Sequence, residues 1–89
     1  MKQMVFSVFD SVAAVYGNPI FVVNRGIAVR SFSDAVSDSA SSLAKHAADY
    51  KLYFLGEFDT VSGELIKLRA PEFVCNASDF ITHKEVKNG

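Results

Sequence analysis

The chain holds no Trp, one Cys, two Pro and five Gly among 89 residues, and neither sign of charge dominates. Each scarcity excludes something. The single Cys75 cannot close an internal disulfide, and one Cys with two His is too few donors for a structural zinc site. The glycines stand singly, so no glycine-rich loop is available to cradle a phosphate. No apolar run approaches the roughly 18 residues of a membrane-spanning helix. Nine Lys and Arg against ten Asp and Glu leave a net charge of −1, so no broad basic field announces a nucleic-acid partner. The opening residues, Met1 to Ser7, go straight into a strand-like pattern without a long apolar signal core, and the chain is expected to work in the cytoplasm.

What is present describes an ordinary globular protein. Hydrophobic residues make up 49% of the chain and charged ones 21%. Surface scaling for this length has about 64% of the unfolded surface buried, enough for one cooperative core and not for two. A single domain over residues 1–83 is expected, with 84–89 as a frayed C-terminal tail.

Periodicity supplies the elements. Residues 4–9 alternate around Phe6 and Val8 and read as a strand; Ile20 to Val23 is a second short apolar run after the turn-forming Tyr16-Gly17-Asn18-Pro19. Val29, Phe32, Ala35 and Val36 form an apolar stripe that predicts a helix over 27–38. Tyr50 to Phe58 is the strongest strand, and it turns through Asp59–Glu64 into Leu65–Arg69, ended by Pro71. A five-residue loop sets Phe58 opposite Ile66 and segregates Phe54, Phe58, Ile66 and Leu68 from Tyr53, Leu55, Glu57, Lys67 and Arg69. Ser78 is placed to cap a short turn through Ile81. The expected fold is α+β, a small antiparallel sheet of four to five strands with the helix packed on one face over Phe54, Phe58, Ile66 and Leu68.

Two short strings recur. Phe9-Asp10-Ser11-Val12 returns as Phe58-Asp59-Thr60-Val61, and Pro19-Ile20-Phe21-Val22 returns as Pro71-Glu72-Phe73-Val74. Shared turn chemistry accounts for this, and so does a pseudo-symmetric pair of hairpins with unequal spacers.

Catalytic constellations are missing. Asp34 and Asp38 belong to a solvated helix face, and His46 with Asp49 reads as a local turn leading into a strand. Cys75 has no nucleophile signature around it and reads as a small buried residue. No enzyme, cofactor or metal is expected. The aromatic content is more informative: eight Phe and three Tyr in 89 residues. Most Phe are core, but Tyr53 falls on the outward hairpin face with Lys51, Lys67 and Arg69. Cations beside an exposed ring suit single-stranded nucleic acid, whose phosphates meet the cations while bases stack on the ring. A plain solvated face and the seam of a homodimer remain open on the same residues.

Phe6-Ser7-Val8-Phe9-Asp10-Ser11, then Ala28-Val29-Arg30-Ser31-Phe32-Ser33-Asp34-Ala35-Val36, then the block from His46 through Tyr50-Lys51-Leu52-Tyr53-Phe54-Leu55-Gly56-Glu57-Phe58-Asp59 occur in that order. Together they resemble the small nonstructural protein of gokushovirus-type microviruses, single-stranded-DNA bacteriophages, over most of residues 4–81. Ala47 departs from the Pro that usually follows the His. The resemblance implies a non-enzymatic viral protein in the cytoplasm of the host bacterium, DNA-binding and acting where genome replication turns to single-strand synthesis and packaging. It supplies no binding residues. On the face analysis the candidates are Lys51, Tyr53, Lys67 and Arg69, with Arg25 and Arg30 as further cations. About four cations on phosphates would give a salt slope near −3. The alternative is an adaptor that docks on viral replication or capsid-assembly proteins without touching DNA; scattered cations beside an apolar patch would favour it. A homodimer or higher symmetric oligomer is expected in either case, because aromatic content and sheet edges exceed what one small core covers.

Overall fold

The computed structural model describes residues 1–81; the expected tail at 84–89 and the expected domain end at 83 lie outside them. The chain runs β1 (Lys2–Asp10), β2 (Val15–Tyr16), β3 (Ile20–Val22), α1 (Arg25–Ser37), α2 (Ser42–Lys45), β4 (Tyr50–Asp59) and β5 (Leu65–Asn76). Short 3-10 turns occupy Ala47–Asp49 and Ala77–Phe80. The five strands form one antiparallel sheet in which β1 and β4 pair at the centre, β5 flanks β4, and β2 and β3 both flank β1. This is the expected α+β architecture.

The recurring strings are recurring structure. Asp10 closes the β1–β2 turn: its Oδ1 accepts from the Val12 and Ala13 amides at 3.0 and 3.2 Å. Asp59 does the same for Val61 and Ser62 at 2.9 and 3.3 Å. Those two amides hold the Asp59 carboxyl below its ordinary value. In both turns the residue four positions on, Ala14 or Gly63, sits in the left-handed region at φ +62° or +77°. Its amide donates to the Asp carbonyl at 2.8 Å. The next hydroxyls match as well. Ser11 Oγ donates to the Asp49 carbonyl and Thr60 Oγ1 to the Met1 carbonyl, both at 2.9 Å. Because β1 and β4 are antiparallel neighbours, the two hairpins are related by an approximate two-fold axis normal to the sheet.

This turn corrects the expected register. Asp59 caps a four-residue loop, so Phe58 lies opposite Leu65 and Glu57 opposite Ile66. A second irregularity sits in β4. Val5 pairs with Gly56 and Phe6 with Phe54, which leaves Leu55 as the extra residue of a bulge. The bulge inverts the alternation beyond it and carries Phe58 to the face away from α1; neither Phe58 nor Ile66 joins the buried core expected to hold them. Gly56 makes the bulge feasible. At φ +153° it has no room for a side chain, since a Cβ would run into the Ile66 carbonyl oxygen and come within 2.9 Å of Lys67 Cα.

Outer strands tolerate more than the sequence pattern suggests. Pro71 does not end β5; as an edge residue it needs no ladder amide, and the strand continues to Asn76. Likewise Gly17–Pro19 is a bulge along β1 rather than a turn leaving it. The Gly17 amide donates to the Val8 carbonyl at 2.8 Å, and Ser7 Oγ donates to the Gly17 carbonyl at 2.7 Å. The final turn is capped by Asn76 and Asp79, not by Ser78.

The core lies between α1 and one face of the sheet. Asn24 Oδ1 accepts from the Ile27 amide at 2.9 Å, so the helix begins at Arg25, two residues before the expected start. Its buried line is Ala28, Phe32 and Val36, one residue per turn, while Ala35 is exposed. These pack on Phe6, Leu52, Phe54 and Ala77, with the Phe6 and Phe54 rings 5.1 Å apart. Replacing Phe32 by Ala is expected to cost about 3–5 kcal/mol in denaturant unfolding. A midpoint close to wild type would place α1 off the core. Gly56→Ala is expected to cost at least about 2 kcal/mol, from strain plus collision, whereas Gly63→Ala, with open space around it, costs about 1 kcal/mol. Equal losses at the two positions would contradict the tight bulge.

Candidate nucleic-acid interface

Strand alternation turns every second side chain away from α1, and on that side the sheet is covered by rings. Phe9 of β1 pairs with Tyr16 of β2 and Tyr53 of β4 with Phe73 of β5, and the two pairs lie diagonally to each other because Tyr53 is opposite Ser7. Their centroids form a connected set: Phe9 to Tyr16 at 4.7 Å, Tyr16 to Tyr53 at 5.7 Å, Phe9 to Tyr53 and Tyr53 to Phe73 at 6.0 Å. Most contacts are edge to face, at 76–82°, the geometry favoured by ring quadrupoles. The cluster is not a second core, because Tyr16 and Phe73 remain 42% and 48% exposed. Further along the same face Phe21 and Phe58 meet edge to face at 5.5 Å.

The charge pattern of this face follows from the register. Among the described strand positions that point away from α1 there is no Asp or Glu. Asp10 and Asp59 are taken up in the turns, Glu57 points to the other side with Lys2 at 4.0 Å, and Glu72 reaches Arg25 at 3.7 Å. Among the described residues the ladder pairing puts two lysines on the ring-bearing face. Lys51 pairs with Phe9 and Asn76, next to the cluster, and Lys67 lies opposite Gly56.

The structure therefore brings Lys51, Tyr53 and Lys67 to one face, as the sequence pattern placed them, and leaves Arg25 and Arg30 apart from them. Arg69 is exposed in the bulged stretch Leu68–Pro71, which faces the single Leu55. Arg25 lies on the helix side, bound to Glu72 and with its guanidinium carbon 5.6 Å from the Phe54 ring centre. Arg30 is exposed on α1. Among the described residues the cations form no single continuous groove.

The pattern of cations beside one exposed ring does not single out Phe9, Tyr16 and Phe73. Phe9 shares the Val5, Ser7, Phe9 alternation of β1, opposite in phase to Phe6 and Val8, and Phe73 matches Phe21 in the repeated Pro-x-Phe-Val. Tyr16 carries no such signal, because Tyr-Gly-Asn-Pro reads as a turn. Cys75 offers no chemistry here: it pairs with Leu52 on the core side, and partial burial, then Asp79, push its thiol up. No helix among the described residues is long and apolar enough to cross a membrane.

Neither a curated protein nor a solved structure matches the chain. One family does: that described as phage ORF5 protein matches residues 3–80, which takes in every strand of the sheet but the first residue of β1, and the whole aromatic face. The chain is a phage protein and belongs to the phage ORF5 protein family.

Proposed function

We propose that this phage protein binds single-stranded DNA on the ring-bearing sheet face and acts in the host bacterium's cytoplasm, at the passage from genome replication to single-strand synthesis and packaging. It is a binding protein, with no catalytic step and no cofactor. The observation that carries the reading is the exposed cluster of Phe9, Tyr16, Tyr53 and Phe73 beside Lys51, on a face without a carboxylate among its described strand positions. Every base has a π-face, so stacking on such a platform holds single strands without regard to sequence, for about 1–3 kcal/mol per base. The resemblance to microvirus nonstructural proteins supports the same reading.

The scatter of cations favours a second reading. With Arg25 engaged by Glu72 and Arg30 on α1, an apolar face with only two lysines also suits docking of a protein, either a viral replication or capsid protein or a second copy of this chain.

Salt dependence separates the two. With Lys51 and Lys67 as the phosphate contacts, the slope of log K against log salt is expected near −1.4 per protomer, at about −0.7 per phosphate on single strands. This is shallower than the −3 expected from four cations. Lys67→Ala flattens the slope by about 0.7 and leaves the melting temperature unchanged. Tyr53→Ala weakens binding by about 1–3 kcal/mol with the slope intact, because a stacked ring releases no counterions. A fluorescent oligonucleotide titration over a range of salt on wild type and both variants reads the slopes and affinities, and a thermal melt of Lys67→Ala checks its stability. No binding at low salt and micromolar protein removes the DNA reading in favour of docking, and sedimentation then distinguishes self-association from a foreign partner.

A further inference from the structure

The approximate two-fold axis relates the two ends of the ring-bearing face. Equivalent Asp10 and Asp59 turns make Phe9 the counterpart of Phe58, and their cross-strand partners Tyr16 and Leu65 counterparts of each other. The pairs Tyr53–Phe73 and Val5–Phe21 correspond in the same way, once the Leu55 bulge is counted. At one end, two tyrosine rings fill the space between Phe9 and Phe73. At the other, the shorter Leu65 and Val5 stand in their places, and Gly56 has no side chain. The space they leave is an open, mostly apolar pocket of about 240 Å³, bordered by Phe21 and Leu55 and with both Lys67 and Glu57 among its lining residues.

We infer that this pocket is a second nucleobase subsite, filled by a base of the same DNA strand that stacks on the Tyr53 cluster. The inference rests on the DNA reading and deepens it. The pocket is walled mainly by apolar groups, Glu57 and Lys67 being its charged lining residues, so it accepts a base chiefly by its faces. Lys67 supplies a cation for that nucleotide's phosphate, as Lys51 does beside the cluster. The two subsites share one face and one strand: Tyr53 and Gly56 are three residues apart on β4, roughly 10 Å at the strand rise, within reach of neighbouring nucleotides. The rings missing from the pocket relative to its two-fold counterpart are thus supplied by the ligand.

The absence of Trp from the chain provides the test. Phe21→Trp and Tyr53→Trp each place a single tryptophan at one subsite by replacing one ring with another, and Phe21 is an exposed position. Full-length protein of each variant is titrated with an oligothymidylate of about 12 nucleotides at low salt, a length within the usual site sizes. Both reporters are expected to be quenched, with one common midpoint. Phe21→Ala, at the same exposed position, is expected to weaken binding about tenfold or more. An unquenched Phe21→Trp signal, or wild-type affinity in Phe21→Ala, overturns the pocket, while quenching in Tyr53→Trp keeps the DNA reading. Silence in both reporters removes both.

Discussion

The antiparallel pairing of β1 with β4 is the constraint on which everything else depends. It sets the two Asp-closed turns at opposite ends of one ladder, with Ser11 and Thr60 each tied to a carbonyl at the neighbouring strand's start. It also fixes which side chains meet α1. Phe6, Leu52 and Phe54 go to the helix, and Phe9 and Tyr53 go to the other side. The bulge at Leu55, made possible by Gly56, is the point at which the two-fold pattern is broken and the far end of the face becomes apolar rather than alternating.

A sheet covered on one face only normally exposes polar residues on the other. This one exposes rings. Keeping Tyr16, Phe21, Leu65 and Phe73 at the surface forgoes apolar burial that a domain of this size has little to spare. The face is held open by its own packing: the edge-to-face contacts fix ring orientation, and Ser7, buried beneath, is satisfied by the Gly17 carbonyl. Acidic residues are directed elsewhere by the same register, into turns, onto α1, or toward Lys2 and Arg25 on the helix side. A surface that is apolar, pre-organised and clear of carboxylates among its strand positions fits a ligand with flat faces and negative charge.

The fold was legible where periodicity is unbroken. The strand from Tyr50 to Phe58 and the helix itself followed from spacing, and of the expected stripe Phe32 and Val36 are in the core, while Ala28 takes the buried place expected of Ala35. What escaped were departures from regular alternation. Asn24 looks like a turn residue until its side chain is seen capping α1, and Tyr16-Gly17-Asn18-Pro19 has turn composition although it bulges along β1. The rule that one register must segregate the two faces assumed a strand without bulges, and so favoured the wrong loop length. Lys67 is nonetheless on the face of Tyr53, because the one-residue register error and the Leu55 bulge cancel at that position. Phe58, beyond the bulge, had no such compensation. Arg25 could not be placed from sequence, since its partner Glu72 is distant along the chain and is brought to it by the ladder.

The central claim, that the ring-bearing face is the one that meets DNA, is tested most directly by following backbone amide resonances during titration with a short single-stranded oligonucleotide. The account predicts shifts concentrated at Phe9, Tyr16, Lys51, Tyr53 and Phe73, with Arg30, Asp34 and the rest of the outer side of α1 unmoved. Shifts centred on α1 would contradict it.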